Sequence, residues 1–505
     1  MHGLVVMIRK FYTVIPSFAL AAVSISAAAS QLPNEVKWMQ DAKWGISHHY
    51  LAGGTLDNAW YQITDYNEWN NYVNGFDVNQ YADKAAKLGY RYVIFTITQN
   101  RGYLSTTSDI YDLHSPACPS KQIAPGCITQ VNSNQADYTP TRDLVLDLAL
   151  ALKAKGIKLI AYLPSHLGDR WTGKKVKAPY PDWFINGFVS ERAQTWGDNI
   201  AGWWFDGWYQ ADESQQELAA NNDYPVADQL AKSVRSGNPN AVITISDGFE
   251  YSFIPNDPQS NYTQGEHNEL PPIPKSGEVT TAIGTKVQWH GFTYTSQEDP
   301  LFGGWGQVKR SLKYSNNEVA NRVKDIARAG GVTTLDVAIN PNGSWLVDRL
   351  VQIQTVGNTV GTTSDTTYSG LELINDNDPR IKYSENGNWV RSEQTNTGEY
   401  QQDLHMTTVN GASFSYDFSG SSIVFATSKD INHGDVEVIL DGKSQGIFSI
   451  FDGNNYRQVQ SIVFEKHDLA AGAHTLTVKK VSGDVMPVDV VLSKKAKKIY
   501  KAKSL

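Results

Sequence analysis

The feature that most constrains the fold is a change of hydrophobic period partway along the chain. From about residue 36 to residue 356, short apolar runs alternate with stretches whose apolar residues recur every three to four positions. The runs Trp44–Tyr50, Tyr90–Thr98, Lys158–His166, Ala201–Asp206, Ala241–Asp247, Lys286–Tyr294 and Val332–Asn340 are predicted strands. Between them, Asn79–Leu88 carries Tyr81, Ala82, Ala85 and Leu88 on one helical face and stops at Gly89. Arg142–Lys155 before Gly156 and Asn317–Ala329 before Gly330 repeat that scheme. Strands alternating with helices predict a parallel α/β sheet, most economically a (β/α)8-like barrel, with a doubly wound open sheet as the other solution. No Gly-rich phosphate loop follows an early strand, so nucleotide chemistry has no support.

Residues 357–370 form a polar bridge rich in Gly, Thr and Ser, and beyond it the period becomes two. Phe414, Tyr416 and Phe418 alternate, as do Val436, Val438 and Leu440 ahead of the turn Asp441-Gly442, and Thr475–Val478 follows the turn Ala471-Gly472. Such spacing predicts an all-β antiparallel sandwich, jelly-roll-like, with a basic tail from Lys494 to Lys503. At the other end, Arg9 and Lys10 precede an apolar run from Phe11 to Ile25 and small residues up to Ser30. That order describes a secretory signal peptide, hence a secreted, extracellular protein with no membrane attachment after cleavage. The expected organisation is therefore a signal peptide over 1–30, a barrel over 31–356, a linker over 357–370 and a sandwich over 371–505. In oxidising surroundings the two cysteines, Cys118 and Cys127, are expected to clip the loop between them as a disulfide. Asn261 and Asn342 open glycosylation sequons, usable where exposed.

Net charge −8 gives no electrostatic footprint for a nucleic-acid backbone, and no long apolar run beyond the N-terminus suits a polytopic membrane protein. The chemistry of a barrel sits at the C-terminal ends of its strands. There the sequence places His48 and His49, Gln99 and Asn100, Ser165 and His166, Asp206 and Asp247. Asp206 ends a wholly apolar strand (Gly202-Trp-Trp-Phe-Asp206) and is flanked by aromatic residues; as Asp-Gly it also reads as a turn or capping residue. Glycosidic cleavage needs a second carboxylate, for which Glu250, Glu266 and Glu269 follow the next strand. A metal site fits less well, because adjacent His48 and His49 point to opposite faces of a strand. No Gly-x-Ser-x-Gly elbow marks a serine nucleophile.

The stretch from Trp38 to Trp345 resembles the glycoside hydrolases of the α-L-fucosidase family, family 29. Trp38–Ile46 looks like the family's opening W-F-x-D-A-K-F-G-I, with His49-Tyr50 at its following His-Trp. Arg142–Val145 and Gly156–Tyr162 are similar to the helix and strand ahead of the nucleophile, and Trp204-Phe-Asp-Gly207 to the nucleophile strand. Tyr262–His267 is similar to a segment reading roughly Y-T-P-P-E-H/Q, whose Glu is the acid/base in part of the family. Gly304-Trp305-Gly306 resembles S-W-G-Y, and Gly330-Gly331 with Asn340–Gly343 resembles the closing G-G-N and P-x-x-D-G. One departure stands out: where the family commonly has His-His-Asp-Gly-Phe, this chain has Gln99-Asn-Arg-Gly-Tyr103, which changes the hydroxyl-binding groups. Residues Ile374–Tyr383, Asn388-Trp389 and Val438–Gly442 look like the jelly-roll, carbohydrate-binding-like modules of secreted glycosidases.

The resemblance implies a retaining exo-glycosidase acting on terminal α-L-fucosyl residues of an oligosaccharide or glycoconjugate. Asp206 is the implied nucleophile and Glu266 the implied acid/base. His49, Gln99, Asn100 and His166 are the expected hydroxyl-binding residues, with Trp204, Trp208 and Trp305 as apolar walls. No metal or organic cofactor is called for, and the sequence says nothing of the oligomeric state. Two alternatives stand beside this reading: the same machinery acting on another glycoside, and a non-catalytic secreted glycan binder.

Overall fold

All seven strands expected in the first region form, because their alternate residues have two different apolar surfaces to fill. They are β1 (Trp44–His48), β2 (Tyr92–Thr96), β3 (Lys158–Pro164), β4 (Ile200–Asp206), β5 (Val242–Ile245), a split pair discussed below, and a last strand, Val332–Asp336. The computed structural model describes residues 34–52, 66–99, 102–114, 139–164, 182–207, 225–246, 254–255, 257–281, 283–299, 303–393, 397–454 and 457–495. The expected signal peptide, Asn100, Cys118, Cys127, His166, Trp208, Asp247, Glu250 and most of the basic tail lie outside the described residues.

The sequence run Lys286–Tyr294 divides into two strands. After the two-residue β6 (Glu266–His267), β7 (Glu278–Thr280) and β8 (Lys286–Gln288) form an antiparallel pair, and β9 (His290–Tyr294) then joins the main sheet ahead of β10 (Val332–Asp336). That sheet has eight parallel strands in the order β5-β4-β3-β2-β1-β10-β9-β6. Asn261, in the segment that leads into β6, bonds both β5 and β8: its N–H donates to Ile243 O (2.7 Å), its Oδ1 accepts from Ile243 N–H (2.8 Å) and its carbonyl accepts from Gln288 N–H (3.0 Å). The result is a barrel-like parallel α/β sheet that is not closed: among the described residues its end strands β5 and β6 are not paired by a ladder.

Strand parity sorts the core into two layers. Tyr92, Ile94, Ile160, Tyr162, Trp204, Val242, Tyr262, Phe292 and Val332 point inward and pack on one another. Their neighbours Val93, Phe95, Leu159, Ala161, Leu163, Trp203, Phe205, Ile243 and Leu335 point outward, against the helices. Gly45 explains how the large inward rings fit: a Cβ there would lie 2.5 Å from the Tyr92 ring. The helices follow the sequence reading closely. Val78–Leu88 is capped by Asp77 and closed by Gly89, Leu144–Lys153 is capped by Asp143, and Asn316–Arg328 opens with a Ser315–Glu318 capping box. No helix among the described residues is long and apolar enough to cross a membrane.

The helix Val347–Val360 takes up the first four residues of the expected linker. The following residues are also held: Thr362 Oγ1 accepts from Trp44 Nε1 (3.0 Å), and Thr363 Oγ1 donates to Lys87 O (2.8 Å). The chain then builds β11 (Leu371–Asn375), β12 (Ile381–Tyr383), β13 (Val390–Glu393), β14 (Asp403–Thr407), β15 (Ser413–Lys429), β16 (Asp435–Leu440), β17 (Lys443–Ser449), β18 (Gln458–Lys466), β19 (Gly472–Lys480), β20 (Met486–Val488) and β21 (Val490–Lys495). The pairs are antiparallel, with β15 at the hub and β13-β14-β20 as a separate three-stranded sheet. The expected two-residue hairpin at Asp441-Gly442 joins β16 to β17, with Leu440 opposite Lys443. Val424, Ala426, Val490 and Leu492 join the helix layer of the barrel in one core, and residues 32–505 form one compact unit.

Candidate active site

Inward parity carries past the apolar layers to the C-terminal rim, where it places polar side chains around one hollow. Asp206 is the last residue of β4 and only 5% exposed. Its Oδ2 accepts from Tyr162 OH (2.8 Å) and Gln99 Nε2 (2.7 Å), and Gln99 also donates to the Tyr162 oxygen (2.9 Å). Gly207, with φ +85°, turns the chain away directly after the carboxylate. Beneath this group the Tyr162 ring stacks on Trp204 with centroids 4.8 Å apart and planes 11° apart.

Across the next strand position stands the second carboxylate. Ser246 follows β5 and is fixed beside β4 by its N–H donating to Phe205 O (2.7 Å). Its hydroxyl donates to Glu266 Oε2 (2.6 Å). The segment that carries Glu266 is anchored below, where Trp204 Nε1 donates to Gln264 O (3.2 Å) and Glu266 N–H donates to Gln264 Oε1 (2.7 Å). Ser246 thus ties Glu266 to the strand end beside Asp206, and Glu266, in register with the inward Phe292, faces the same side as Asp206.

His49 completes the rim. Its Nδ1 is 2.6 Å from Asp336 Oδ2, and its ring lies edge-on to Tyr162 and tilted against Trp305, at centroid distances of 5.2 and 5.5 Å. Burial works to lower the imidazole pKa, but the Asp336 charge and hydrogen bond outweigh it, and the carboxylates of Asp206 and Glu266 add to the rise. His49 is therefore held toward its charged form by three acidic groups around one space. Asp336, 1% exposed, also accepts from Gly306 N–H through Oδ1 (2.6 Å), which ties the Trp305 loop to the same residue.

The neighbouring His48 has a different environment, as the opposite-face argument requires. Its Nδ1 donates to Val337 O (2.6 Å) and its Nε2 accepts from Tyr81 OH (2.6 Å). Burial, first among its influences, lowers its pKa to about 4, so it is a neutral core residue. Among the described residues no group of three or more His, Cys, Asp or Glu side chains forms a metal-ligand set.

Of the residues singled out from sequence, Asp206, Glu266, His49, Gln99 and Trp305 come together at the rim. Gln99 orients the Asp206 carboxylate itself. Trp204 is fully buried in the layer below, so it supports Tyr162 and presents no face to the hollow. Glu269 is turned outward, where it accepts from Lys313 Nζ (3.0 Å) and Tyr314 OH (2.7 Å), and these bonds hold its pKa down. The sequon at Asn261 is corrected by its place in the fold: at 7% exposure its amide is committed to β5. Asn342 is half-buried, with Nδ2 donating to Gln458 Oε1 (3.2 Å) in the sandwich. Sequence reasoning missed Asp336, Tyr162 and Ser246. Asp336 ends the buried strand β10 as Asp206 ends β4, but Thr333 and Thr334 interrupt that strand, so a search for a charge ending a wholly apolar strand passes over it.

No family model matches the chain, and no curated protein matches it. Among solved structures, an α-L-fucosidase from Vibrio sp. strain EJY3 aligns at 13% identity over 92% of this chain and 98% of that one, with TM-score 0.45. The α-L-fucosidase isoenzyme 1 from Paenibacillus thiaminolyticus aligns at 16% identity over 88% and 99%, with TM-score 0.44. An endo-fucoidan hydrolase of glycoside hydrolase family 107 aligns at 15% identity over 65% and 93%, also with TM-score 0.44. At these scores nothing is carried over to this chain from any of them.

Proposed function

We propose that the chain is a retaining exo-glycosidase, with terminal α-L-fucosides as its substrate class. The observation that carries the reading is the rim arrangement: Asp206 oriented by Tyr162 and Gln99, Glu266 held by Ser246 beside the end of β4, and His49 under the influence of both. Asp206 attacks the anomeric carbon and forms the glycosyl–enzyme bond, while Glu266 protonates the departing oxygen. Glu266 then takes a proton from water, whose oxygen attacks the same carbon and frees Asp206. Retention asks for a carboxyl separation of about 5–5.5 Å. His49, whose Nε2 has no hydrogen-bond partner among the described residues, donates to a sugar hydroxyl, and Trp305 lines the apolar side. The sugar identity rests on the sequence resemblance to family 29, and export rests on the charged and apolar order of residues 1–30.

Hydrolysis of an aryl α-L-fucoside, with the first-formed anomer followed by NMR, tests this. The expected result is turnover with the α-anomer released first and loss of turnover in Asp206→Asn. Release of the β-anomer first overturns retention, and no turnover across a panel of aryl glycosides overturns the enzyme reading. A second substrate reading is favoured by one observation: Gln99 is occupied by Asp206 and Tyr162, so it recognises hydroxyls differently from the family's His pair. Faster hydrolysis of another aryl glycoside in the same panel would select that reading.

A further inference from the structure

Glu266 stands on a strand too short to hold itself in place. β6 has two residues, and its ladder runs to β9 alone, with Glu266 opposite Phe292 and His267 opposite Thr293. So short a ladder supplies few bonds, and the place of the acid depends on what grips the chain just before and just after it. Before it, Thr263 Oγ1 donates to His290 O (2.6 Å) and Gly265 O accepts from Phe292 N–H (2.6 Å), both on β9. After it the backbone leaves the sheet, and two cations take its carbonyls. Lys313 Nζ donates to Asn268 O (2.7 Å). Arg322, on the helix Asn316–Arg328, donates through Nη1 to Leu270 O (3.1 Å) and Pro271 O (2.6 Å).

Lys313 reaches further than Arg322, because it joins this segment to the end of β9 and to the Trp305 loop. Its ammonium also donates to Glu269 Oε1 (3.0 Å) and Glu298 Oε1 (2.6 Å), and with Asn268 O these acceptors occupy every N–H it has. The same ammonium lies 5.2 Å from the Tyr294 ring centroid and 5.3 Å from that of Tyr314. Tyr294 OH donates to Glu298 Oε1 (2.7 Å), and the Tyr294 ring meets Trp305 edge-on at 5.0 Å. Lys313 is itself anchored to the residue after β9, its N–H donating to Thr295 O (2.8 Å). Burial opposes the charge on Lys313, but its bonds to Glu298 and Glu269 outweigh burial and keep it an ammonium. The Glu269 side chain is 75% exposed and that of Glu298 46%, and pairs with such exposed carboxylates add little to stability. The larger consequence of the node is geometric: it fixes the chain that carries the acid.

We infer that Lys313 is a positioning residue for proton transfer: by gripping Asn268 O, two residues beyond Glu266, it sets the approach of that carboxyl to the departing oxygen. The inference rests on the reading of Glu266 as the acid/base. A misplaced proton donor costs most where the leaving group needs the proton and little where it departs without one, whereas general loosening of the site costs both alike. The test compares the parent, Lys313→Met, Glu269→Gln and Glu266→Gln on the 4-methoxyphenyl and 2,4-dinitrophenyl glycosides of the sugar that the aryl glycoside panel selects. In Lys313→Met, kcat/KM is expected to fall about tenfold or more on the methoxyphenyl glycoside and less than about threefold on the dinitrophenyl one. If Lys313→Met does not fold, Glu269→Gln decides, since it removes one charged partner of Lys313 at an exposed side chain; there the expected loss is about threefold on the methoxyphenyl glycoside alone. Equal losses on both substrates, or no loss on either, in the deciding variant overturn the inference while Glu266→Gln still separates the two substrates. A Glu266→Gln that loses equally on both, or a parent inactive on both, overturns the acid/base reading and the inference with it.

Discussion

The barrel rim and the sandwich both bury carboxylates, but they partner them in opposite ways. In the sandwich Asp403 is bonded by Arg391 and Glu399 by Arg457, so each charge is met by a guanidinium. At the rim Asp206 accepts from a phenol and an amide, and Glu266 accepts from a serine hydroxyl. Neutral donors orient a carboxylate without cancelling its charge, which suits a nucleophile or a proton carrier; a guanidinium fixes it in place as structure. Asp336 stands between the two cases, since its partners are a backbone N–H and the imidazole of His49. The contrast covers these four groups and not every buried acid of the sandwich, since Asp452 accepts from the Gln458 amide; burial alone does not mark a reacting acid.

The largest effect that contrast predicts is at position 206. Asp206→Asn keeps the shape and the neighbours but removes the charge, and kcat on an aryl α-L-fucoside should fall by about 10⁴-fold or more. Unchanged turnover would break the comparison at its centre. Glu266→Gln should lower kcat/KM by about 10²- to 10⁴-fold. The loss should be smaller for aryl groups that depart without protonation, which a series of leaving groups would show. Asp336→Asn, one step back from the sugar, should cost about 10- to 100-fold by loosening His49 and the Trp305 loop. It should also move the His49 titration to lower pH, read by NMR of the imidazole.

The same residues make a pH prediction with a definite sign. His49 has a raised pKa in the folded protein, so its pairing with Asp336 stabilises fully below its ordinary value of 6.5. That contribution is lost as pH rises through the folded value, and Asp336→Asn should flatten the dependence in thermal melts. Asp489 in the sandwich is the reverse case of the arginine-paired acids. Burial, and then Glu399, raise its pKa well above the usual carboxylate range; its Oδ1 accepts from Tyr400 N–H (2.9 Å), and its Oδ2 has no partner among the described residues. Its contribution to stability is full below the ordinary carboxylate value of 3.8 and is lost as pH rises through the raised folded value. Asp489→Asn should therefore raise Tm by about 1–3 °C at alkaline pH and change little in acid. The smallest effect belongs to the exposed pair Lys382–Asp417, where Lys382→Ala should shift Tm by less than about 1 °C.

The parallel strands were legible because each carries two apolar faces, so long runs such as Tyr92–Thr96 and Ile200–Asp206 declare themselves. The missed eighth member, β6, spans Glu266–His267 and is preceded by Tyr262-Thr-Gln-Gly, in which bonds between side chain and backbone replace a ladder. No periodic signal exists in so short a strand. Asp206 was legible as a charge ending an apolar strand, and His49 from its motif. Tyr162, by contrast, reads as one more core aromatic, since only the register of β3 against β4, with Pro164 opposite Asp206, brings its hydroxyl to the carboxylate. The fate of Gln99 was hidden for the same reason: a side chain expected to meet a ligand spends its donors on the residue beside the ligand.

The junction at Asn261 has a consequence for how this sheet yields. Where neighbouring staves elsewhere share regular ladders, β5 and the Asn261–Glu266 segment are joined by one amide and a few local bonds. Amide protons beside that joint should exchange with solvent before those of β2 and β3, and Asn261→Ala should let the wall part there first, beside the acid that Glu266 supplies. The line of least resistance thus runs down the flank of the hollow, so loosening begins next to the chemistry and spreads away from it.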